Sequence, residues 1–217
     1  MISIYSISAL ILAYLCGSIP TAVWIGLAFF DVDVREYGSG NAGATNTFRV
    51  LGKKAGIPVM LIDILKGWTA TNLAYFIGVS TTGAYNSPAY INYALALGIA
   101  AVMGHLFPIF AGFRGGKGIA TLFGMILAIN LPAALFCVGI FLVVLFITRY
   151  VSLGSIIAGF AYPVTVALIF PISRSVIIYG MCMCLLILVT HQKNIERLLK
   201  GKESKVNLFR KKTAEKA

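Results

Sequence analysis

Long runs of apolar residues, separated by short polar segments, make up most of this chain of 217 residues. Runs of about 20 apolar residues with few charges are typical of helices that cross a lipid bilayer. We therefore predict an all-α polytopic membrane protein. In chain order, the apolar runs are residues 2–30, 57–79, 90–110, 119–148, 151–170 and 175–190.

Two of these runs are long for a single straight helix. Residues 2–30 would extend about 43 Å, against a hydrocarbon core of about 30 Å, and Gly17 and Pro20 predict a kink within the run. Residues 119–148 are interrupted by Asn130 and a proline two positions later. The second run therefore forms either one long helix or two short ones.

The distribution of basic residues favours two short helices. If the run is divided at Asn130, sixteen of the eighteen Lys and Arg residues fall on one side of the membrane, Arg174 alone falls on the other, and Lys66 lies within a span. An undivided run would separate Arg149 and the basic C-terminal segment from the other basic loops, against the positive-inside rule. We predict seven transmembrane helices, with the N-terminus outside and the C-terminus in the cytoplasm.

The composition supports a single membrane domain. Hydrophobic residues make up 59% of the chain and charged residues 12%, with a mean hydropathy of +0.90. This leaves no room for a separate soluble domain, so residues 1–217 are expected to form one integral membrane domain with a basic, flexible cytoplasmic tail from about residue 206. The net charge of +11 is interpreted as a topology signal, and nucleic acid is not an expected partner.

The N-terminal run and the Cys and acidic residues exclude further classes. No basic residue precedes Arg35, so the first run is not expected to be a signal peptide. The four cysteines lie inside apolar runs and are interpreted as small core residues. The seven acidic residues form no pair suited to a divalent metal. We therefore expect no cofactor and no metal.

Three polar segments fall on the predicted cytoplasmic side and can share one site. They are residues 38–46 followed by Arg49, residues 112–118, and residues 191–197. Short runs of Gly, Ser, Asn and Thr expose backbone N–H groups that bind anions, while Arg49, Arg114 and Lys117 supply positive charge. Any one segment alone could be a flexible turn, but the three together indicate a phosphate-binding site.

Two nucleotide-binding interpretations fail on context. Gly38, Gly40 and Gly43 spell G-x-G-x-x-G, but they follow a predicted membrane helix instead of a strand. Residues 115–118 lack the first glycine of a P-loop, and Gly118 stands where that motif needs Ser or Thr. A dinucleotide cofactor or a nucleotide motor is therefore not expected.

Polar side chains at the ends and inside the predicted spans are further candidates. His191 and Asn194 share one face of a helix and can bind a ligand, although an interfacial histidine beside a capping asparagine would look the same. His105 is either a pocket residue or a core histidine, and the second is favoured. Asp63 and Lys66 are three residues apart inside a span, where they can neutralise each other as a structural pair or contact the substrate.

The three motifs together resemble a known family. The stretches GSGNAGATN with Arg49, GFRGGKG and HQKNIERLLKGKESK are similar, in order and spacing, to motifs of the bacterial acyl-phosphate:glycerol-3-phosphate acyltransferases. The resemblance extends to about Lys205, with Glu196 as a departure from the pattern. It implies seven membrane helices with a cytoplasmic site in the bacterial inner membrane. It also implies acyl transfer from acyl phosphate to the 1-hydroxyl of glycerol 3-phosphate, without cofactor, metal or obligate protein partner.

The same resemblance assigns site residues. It implies a structural role for Glu203 and leaves open whether His191 or the phosphate of the donor accepts the proton of the attacking hydroxyl. The alternatives are a transporter or binding protein for phosphorylated solutes, which would need more polar residues along the spans, and a lipid-binding scaffold, which does not explain the two glycine-rich segments. The expected catalytic residues are Ser39, Arg49, Lys117, His191 and Asn194, and the expected substrate-binding residues are Gly40, Asn41, Asn46, Gly115, Gly116 and Ser152.

Overall fold

The computed structural model describes residues 4–78 and 85–206. Within these residues the chain is helical and contains no strand, which confirms the all-α part of the predicted fold class. The predicted basic tail, from residue 207 onwards, lies outside the described residues. The helices are α1 (Ile4–Gly17), α2 (Thr21–Phe30), α3 (Ala44–Val50), α4 (Lys53–Leu73), α5 (Pro88–Leu106), α6 (Ile119–Ile129), α7 (Leu131–Thr148), α8 (Val151–Leu168), α9 (Arg174–Thr190) and α10 (Gln192–Leu199).

Both helix interruptions predicted from the sequence are present. Helices α1 and α2 are bent by 41° at the break that contains Pro20, whose ring and missing N–H disrupt the helical hydrogen bonds. Helix α6 ends at Ile129, and the side-chain oxygen of Asn130 accepts a hydrogen bond of 3.0 Å from the N–H of Ala133. Asn130 therefore caps α7, and the division of the fourth run is confirmed.

The number of membrane crossings is only partly shown by the helix lengths. Three described helical stretches are long and apolar enough to span a bilayer: Pro88–Ala111, which is α5 with the short 3-10 turn after it, Leu131–Thr148 and Val151–Leu168. The number is five if the bent pairs α1–α2 and α9–α10 each form one span. Helix α6 has eleven residues and rises about 16 Å, roughly half of the hydrocarbon thickness. Seven crossings and the orientation of the termini stay predictions.

Glycines allow α4 to lie close to its neighbours. A Cβ atom on Gly67 would overlap the backbone at Thr121 in α6, and one on Gly124 would overlap the backbone at Ile64 in α4. Gly17 lies in the same way against Ala101 in α5. Because small residues let helix backbones approach closely, α4 is surrounded by α1, α5 and α6. This arrangement buries the polar side chains of α4 beside the glycine-rich segments.

Candidate active site

The first glycine-rich segment is a tight loop before helix α3. Gly38 and Gly40 have φ angles of +65° and +72°, in the left-handed region that glycine adopts without a steric penalty. Ser39 and Gly40 are exposed, and Asn41 is half-buried. The loop therefore presents small polar groups and backbone at the protein surface.

Asn46 in α3 holds this loop in place. Its side-chain oxygen accepts a hydrogen bond of 2.8 Å from the backbone N–H of Ser39. Its amide nitrogen donates to the carbonyl oxygens of Val34, at 2.7 Å, and Tyr37, at 3.1 Å. Asn46 is buried, so its amide organises the backbone of the loop that the sequence motif marks as a binding element.

The second segment lies directly on the C-terminal end of α5. The N–H of Gly116 donates a hydrogen bond of 3.1 Å to the carbonyl oxygen of His105. A Cβ atom on Gly115 would overlap the carbonyl oxygens of His105 and Leu106, and one on Gly116 would overlap the imidazole of His105. Only glycine fits this close approach of backbone to helix end.

The two glycine-rich segments touch each other. The N–H of Ala42 donates a hydrogen bond of 3.4 Å to the carbonyl oxygen of Gly115, and a Cβ atom on Gly43 would lie 4.0 Å from the Cα atom of Gly116. Lys117 follows this contact immediately. The structure thus brings together the first two predicted elements of the site.

The third segment meets Lys117. The Lys117 ammonium donates a hydrogen bond to the side-chain oxygen of Asn194, and the amide nitrogen of Asn194 donates to Glu203 Oε1 at 2.7 Å. Glu203 Oε1 also accepts a hydrogen bond of 2.9 Å from the Ser152 hydroxyl. Lys117, Asn194 and Ser152, three of the predicted site residues, are therefore joined through one carboxylate.

Glu203 is the centre of this network. Its second carboxylate oxygen accepts a hydrogen bond of 2.7 Å from Arg197 Nε. Burial alone would raise the pKa of Glu203, but the hydrogen bonds from Arg197, Asn194 and Ser152 keep that pKa below its ordinary value. The resemblance implied a structural role for Glu203, but its link to Lys117 and the contribution of Arg197 were missed. A signal was available for Arg197, because it lies three residues after Asn194 on the same helix face.

His191 is buried between α9 and α10 with a defined ring orientation. Its Nδ1 atom lies 3.0 Å from the carbonyl oxygen of Ile187 and 3.2 Å from the Thr190 hydroxyl. Burial, reinforced by the positive charge of Lys117, lowers the pKa of His191 to about 4. A neutral ring that donates Nδ1–H to a carbonyl keeps its Nε2 lone pair as an acceptor.

The environment of Lys117 lowers its basicity. Burial lowers the pKa of the Lys117 ammonium to about 8; Glu203 opposes this effect, while the charges of Arg197 and Arg49 reinforce it. Arg49 is exposed and makes no ion pair or hydrogen bond with any residue in the described parts of the chain. An anion beside Lys117 and Arg49 would relieve the repulsion between their charges.

Comparisons with known proteins identify the family. A family model described as glycerol-3-phosphate acyltransferase matches residues 7–201. The chain belongs to the glycerol-3-phosphate acyltransferase family. Curated relatives of that name include one from Enterococcus faecalis, 44% identical over 91% of this chain and 90% of the relative, and one from Chlorobaculum tepidum, 40% identical over 94% and 98%. The resemblance predicted from the three motifs is thereby confirmed.

Solved structures of the family share the fold. The structure of PlsY (YgiH), an integral membrane glycerol 3-phosphate acyltransferase, in its glycerol 3-phosphate form is 36% identical, with a TM-score of 0.81 over 93% of this chain and 96% of that chain. The lysophosphatidic acid form of PlsY has a TM-score of 0.79. The family fold therefore extends over nearly the whole of this chain.

The network of Lys117, Asn194 and Glu203 is polar, while the neighbouring outer surface is apolar. A groove of about 370 Å³ follows the bend between α9 and α10, and the buried His191 and Asn194 are not among its lining residues. The groove is lined by Leu188, Val189, Gln192, Ile195, Glu196 and Leu199.

In the described parts of the chain, no group of three or more His, Cys, Asp or Glu residues could hold a metal ion.

Proposed function

We propose that the protein transfers a fatty acyl group from acyl phosphate to the 1-hydroxyl of glycerol 3-phosphate. The products are lysophosphatidic acid and inorganic phosphate, in the first step of bacterial phospholipid synthesis. Support comes from the family and from solved relatives in glycerol 3-phosphate and lysophosphatidic acid forms. The observation that carries the proposal is the half-buried Lys117, which Asn194 holds where the two glycine-rich segments meet.

The charges of this site suit two phosphorylated substrates. Both substrates are anionic near neutral pH, so their approach needs fixed positive charge to offset their mutual repulsion. We propose that Lys117, Arg49 and the amide of Gly115 provide it, whereas the N–H of Gly116 already donates to the carbonyl oxygen of His105. The exposed Ser39 hydroxyl, with Gly40 and Asn41, would bind a phosphate from the side of the first loop.

The reaction requires neither a protein nucleophile nor a redox step. The 1-hydroxyl oxygen attacks the acyl carbonyl carbon, a new C–O bond forms, and the bond between that carbon and the phosphate oxygen breaks. Acyl phosphate is a mixed anhydride and is already activated. Catalysis then depends mainly on the alignment of the substrates and on positive charge near the developing oxyanion.

The proton of the attacking hydroxyl goes, in our proposal, to the phosphate of the donor. A pKa of about 4 makes His191 a weak base at neutral pH, whereas its Nε2 atom is well suited to accept a hydrogen bond that orients the hydroxyl. Asn194 would orient Lys117 directly, Glu203 and Ser152 would do so through Asn194, and Asn46 would order the first loop. If His191→Gln abolished turnover but left both substrate affinities intact, His191 would be the base instead.

The donor assay tests the proposed reaction. Purified protein is given glycerol 3-phosphate with a long-chain acyl phosphate, acyl-CoA or acyl carrier protein, and both phosphate and lysophosphatidic acid are measured. We expect product with acyl phosphate and none with the thioesters. Product only with a thioester would support an acyltransferase that uses a different donor. No product with any donor would favour the transporter and scaffold alternatives.

Activity is expected to decline above about pH 8. The pKa of Lys117 is lowered to about 8, so its positive charge is present below that pH and is lost as the pH rises through it. We expect kcat/KM for glycerol 3-phosphate to fall on this alkaline limb, measured between pH 6 and 10 with non-enzymatic hydrolysis subtracted. In Lys117→Arg the limb should move to higher pH, because arginine stays charged; an unmoved limb would assign the titration to another group.

We also propose that the protein crosses the bacterial cytoplasmic membrane seven times, with the site on the cytoplasmic side and the acyl chain entering from the lipid. Seven helical bodies within the described residues support this count: the bent pair α1–α2 and helices α4 to α9. The single-cysteine variants Lys53→Cys and Ser173→Cys should react with an impermeant maleimide from opposite sides of the membrane. Labelling of both from one side would overturn the topology.

A further inference from the structure

Three ionisable side chains form a buried network beneath the glycine-rich segments, and the reaction proposed above does not use them. Asp63 and Lys66 in α4 and His105 in α5 are 1%, 4% and 5% exposed. Burial of such groups is costly unless they interact with one another, so their position directly under the site calls for a function.

The network joins three helical elements. Lys66 Nζ lies 2.9 Å from Asp63 Oδ1 and donates a hydrogen bond of 3.0 Å to the carbonyl oxygen of Ile19, at the break between α1 and α2. His105 Nδ1 lies 3.7 Å from the same Asp63 oxygen. The pair therefore neutralises itself, as the sequence predicted, and also places negative charge beside one edge of the imidazole.

The opposite edge of His105 faces the second glycine-rich segment. A Cβ atom on Gly116 would overlap His105 Nε2, and the N–H of Gly116 donates to the carbonyl oxygen of His105. The histidine is buried, as favoured from the sequence, but both its backbone and its side chain contact this segment.

These contacts determine where Lys117 lies. Its backbone follows Gly116, which rests on His105, while its ammonium is held at the far end by Asn194. A displacement of the Gly115–Gly116 backbone toward the space of a smaller residue 105 would move Lys117 relative to Arg49 and the substrates. Misplacement of a charged group by about 1 Å is enough to cost roughly 10²-fold in rate.

We propose that His105 is a positioning residue for the segment from Gly115 to Lys117, packed between that segment and the ion pair of Asp63 and Lys66. His105 does not contact the substrates; it acts through the placement of Lys117. The kinetic part of this inference rests on the proposed acyltransferase function, whereas the contact between His105 and the segment does not.

Two substitutions of His105 separate the effect of side-chain length from the effect of side-chain polarity. His105→Gln has a side chain long enough to reach Gly116, whereas His105→Asn keeps a donor near the Nδ1 position but leaves a gap beneath the glycine. We expect His105→Asn to lower kcat/KM by about 10- to 100-fold and His105→Gln to lose less than about 5-fold. His105→Leu also ends at its δ atoms, so it leaves the same gap beneath Gly116 and replaces the Asn variant if that variant fails to fold.

A matched control removes a buried polar group elsewhere in the core. The Tyr162 hydroxyl in α8 is buried without a hydrogen-bond partner in the described structure. Tyr162→Phe should therefore leave turnover within about 2-fold. All variants are purified as the full chain, and thermal unfolding is measured beside activity.

The decisive readout is a double-mutant cycle with Lys117→Ala, followed with radiolabelled glycerol 3-phosphate. If His105 acts through Lys117, His105→Asn should cost less than about 2-fold more once Lys117 is absent. Hydrogen exchange of the peptide covering residues 112–119 should also accelerate in His105→Asn and stay near wild type in Tyr162→Phe. Losses that multiply in the cycle, or unchanged exchange, would overturn the proposal. If hydrogen exchange accelerates in His105→Asn but the wild-type protein transfers no acyl group, only the proposed function is rejected.

Discussion

Lys117→Ala is expected to lower kcat/KM for acyl transfer by about 10²- to 10³-fold. Lys117 supplies a half-buried positive charge at the junction of the three motif segments, and loss of one charged donor at a developing negative charge has an effect of this size. The measurement is lysophosphatidic acid formation at saturating and subsaturating glycerol 3-phosphate. Part of the loss should appear in KM, because Lys117 binds the ground-state phosphate as well.

Lys53 offers a matched control for this substitution. It is an exposed lysine at the first residue of α4. Lys53→Ala should stay within about 2-fold of wild type, because exposed charges contribute little. If Lys117→Ala kept near-normal activity, Lys117 would leave the site, and the proposed role of His105 would lose its target.

Glu203→Gln is expected to lower both activity and stability. The carboxylate accepts hydrogen bonds from Ser152, Asn194 and Arg197, all of which are donors. An amide can accept only through its oxygen, and its NH₂ group would face a donor. We expect a loss of about 1–3 kcal/mol in the free energy of unfolding and a fall in kcat/KM of about 10²-fold, because Asn194 would no longer hold Lys117.

The control for Glu203 is another glutamate of the third segment. Glu196 pairs with Lys200 at 2.6 Å, but both side chains are about 60% exposed. Glu196→Gln should therefore change stability by less than about 1 kcal/mol and leave turnover unchanged. A Glu203→Gln protein that lost stability but kept full activity at low temperature would reduce Glu203 to a structural residue.

Much of the helical architecture was predictable because it follows from local sequence. Apolar runs of sufficient length form helices in a bilayer, since their backbone groups must bond internally. Pro20 cannot donate a backbone hydrogen bond, and Asn130 caps the following helix, so both breaks were visible in the chain. The seven crossings were not settled in this way, because α6 is too short to show a span by its length.

The candidate site was predictable to the level of its motifs. Glycine, basic and amide residues at fixed spacing indicated phosphate binding, and the structure joins Lys117 to Asn194 and the first loop to the second. The central position of Glu203 was not predictable from these patterns. It depends on residues that approach from α8, from α10 and from the segment after α10, which are distant in sequence from Lys117.

The sequence by itself therefore determined the helical class, the helix breaks and the residue types available for phosphate chemistry, because these depend on hydrophobic length, backbone chemistry and local spacing. Only the tertiary structure decided which side chains share an environment. The packing of α4 against α1, α5 and α6 brings Asp63 beside His105, and the close approach of the second segment to the end of α5 brings Gly116 onto that histidine. Such contacts arise from the fit of whole helices, which no local pattern records.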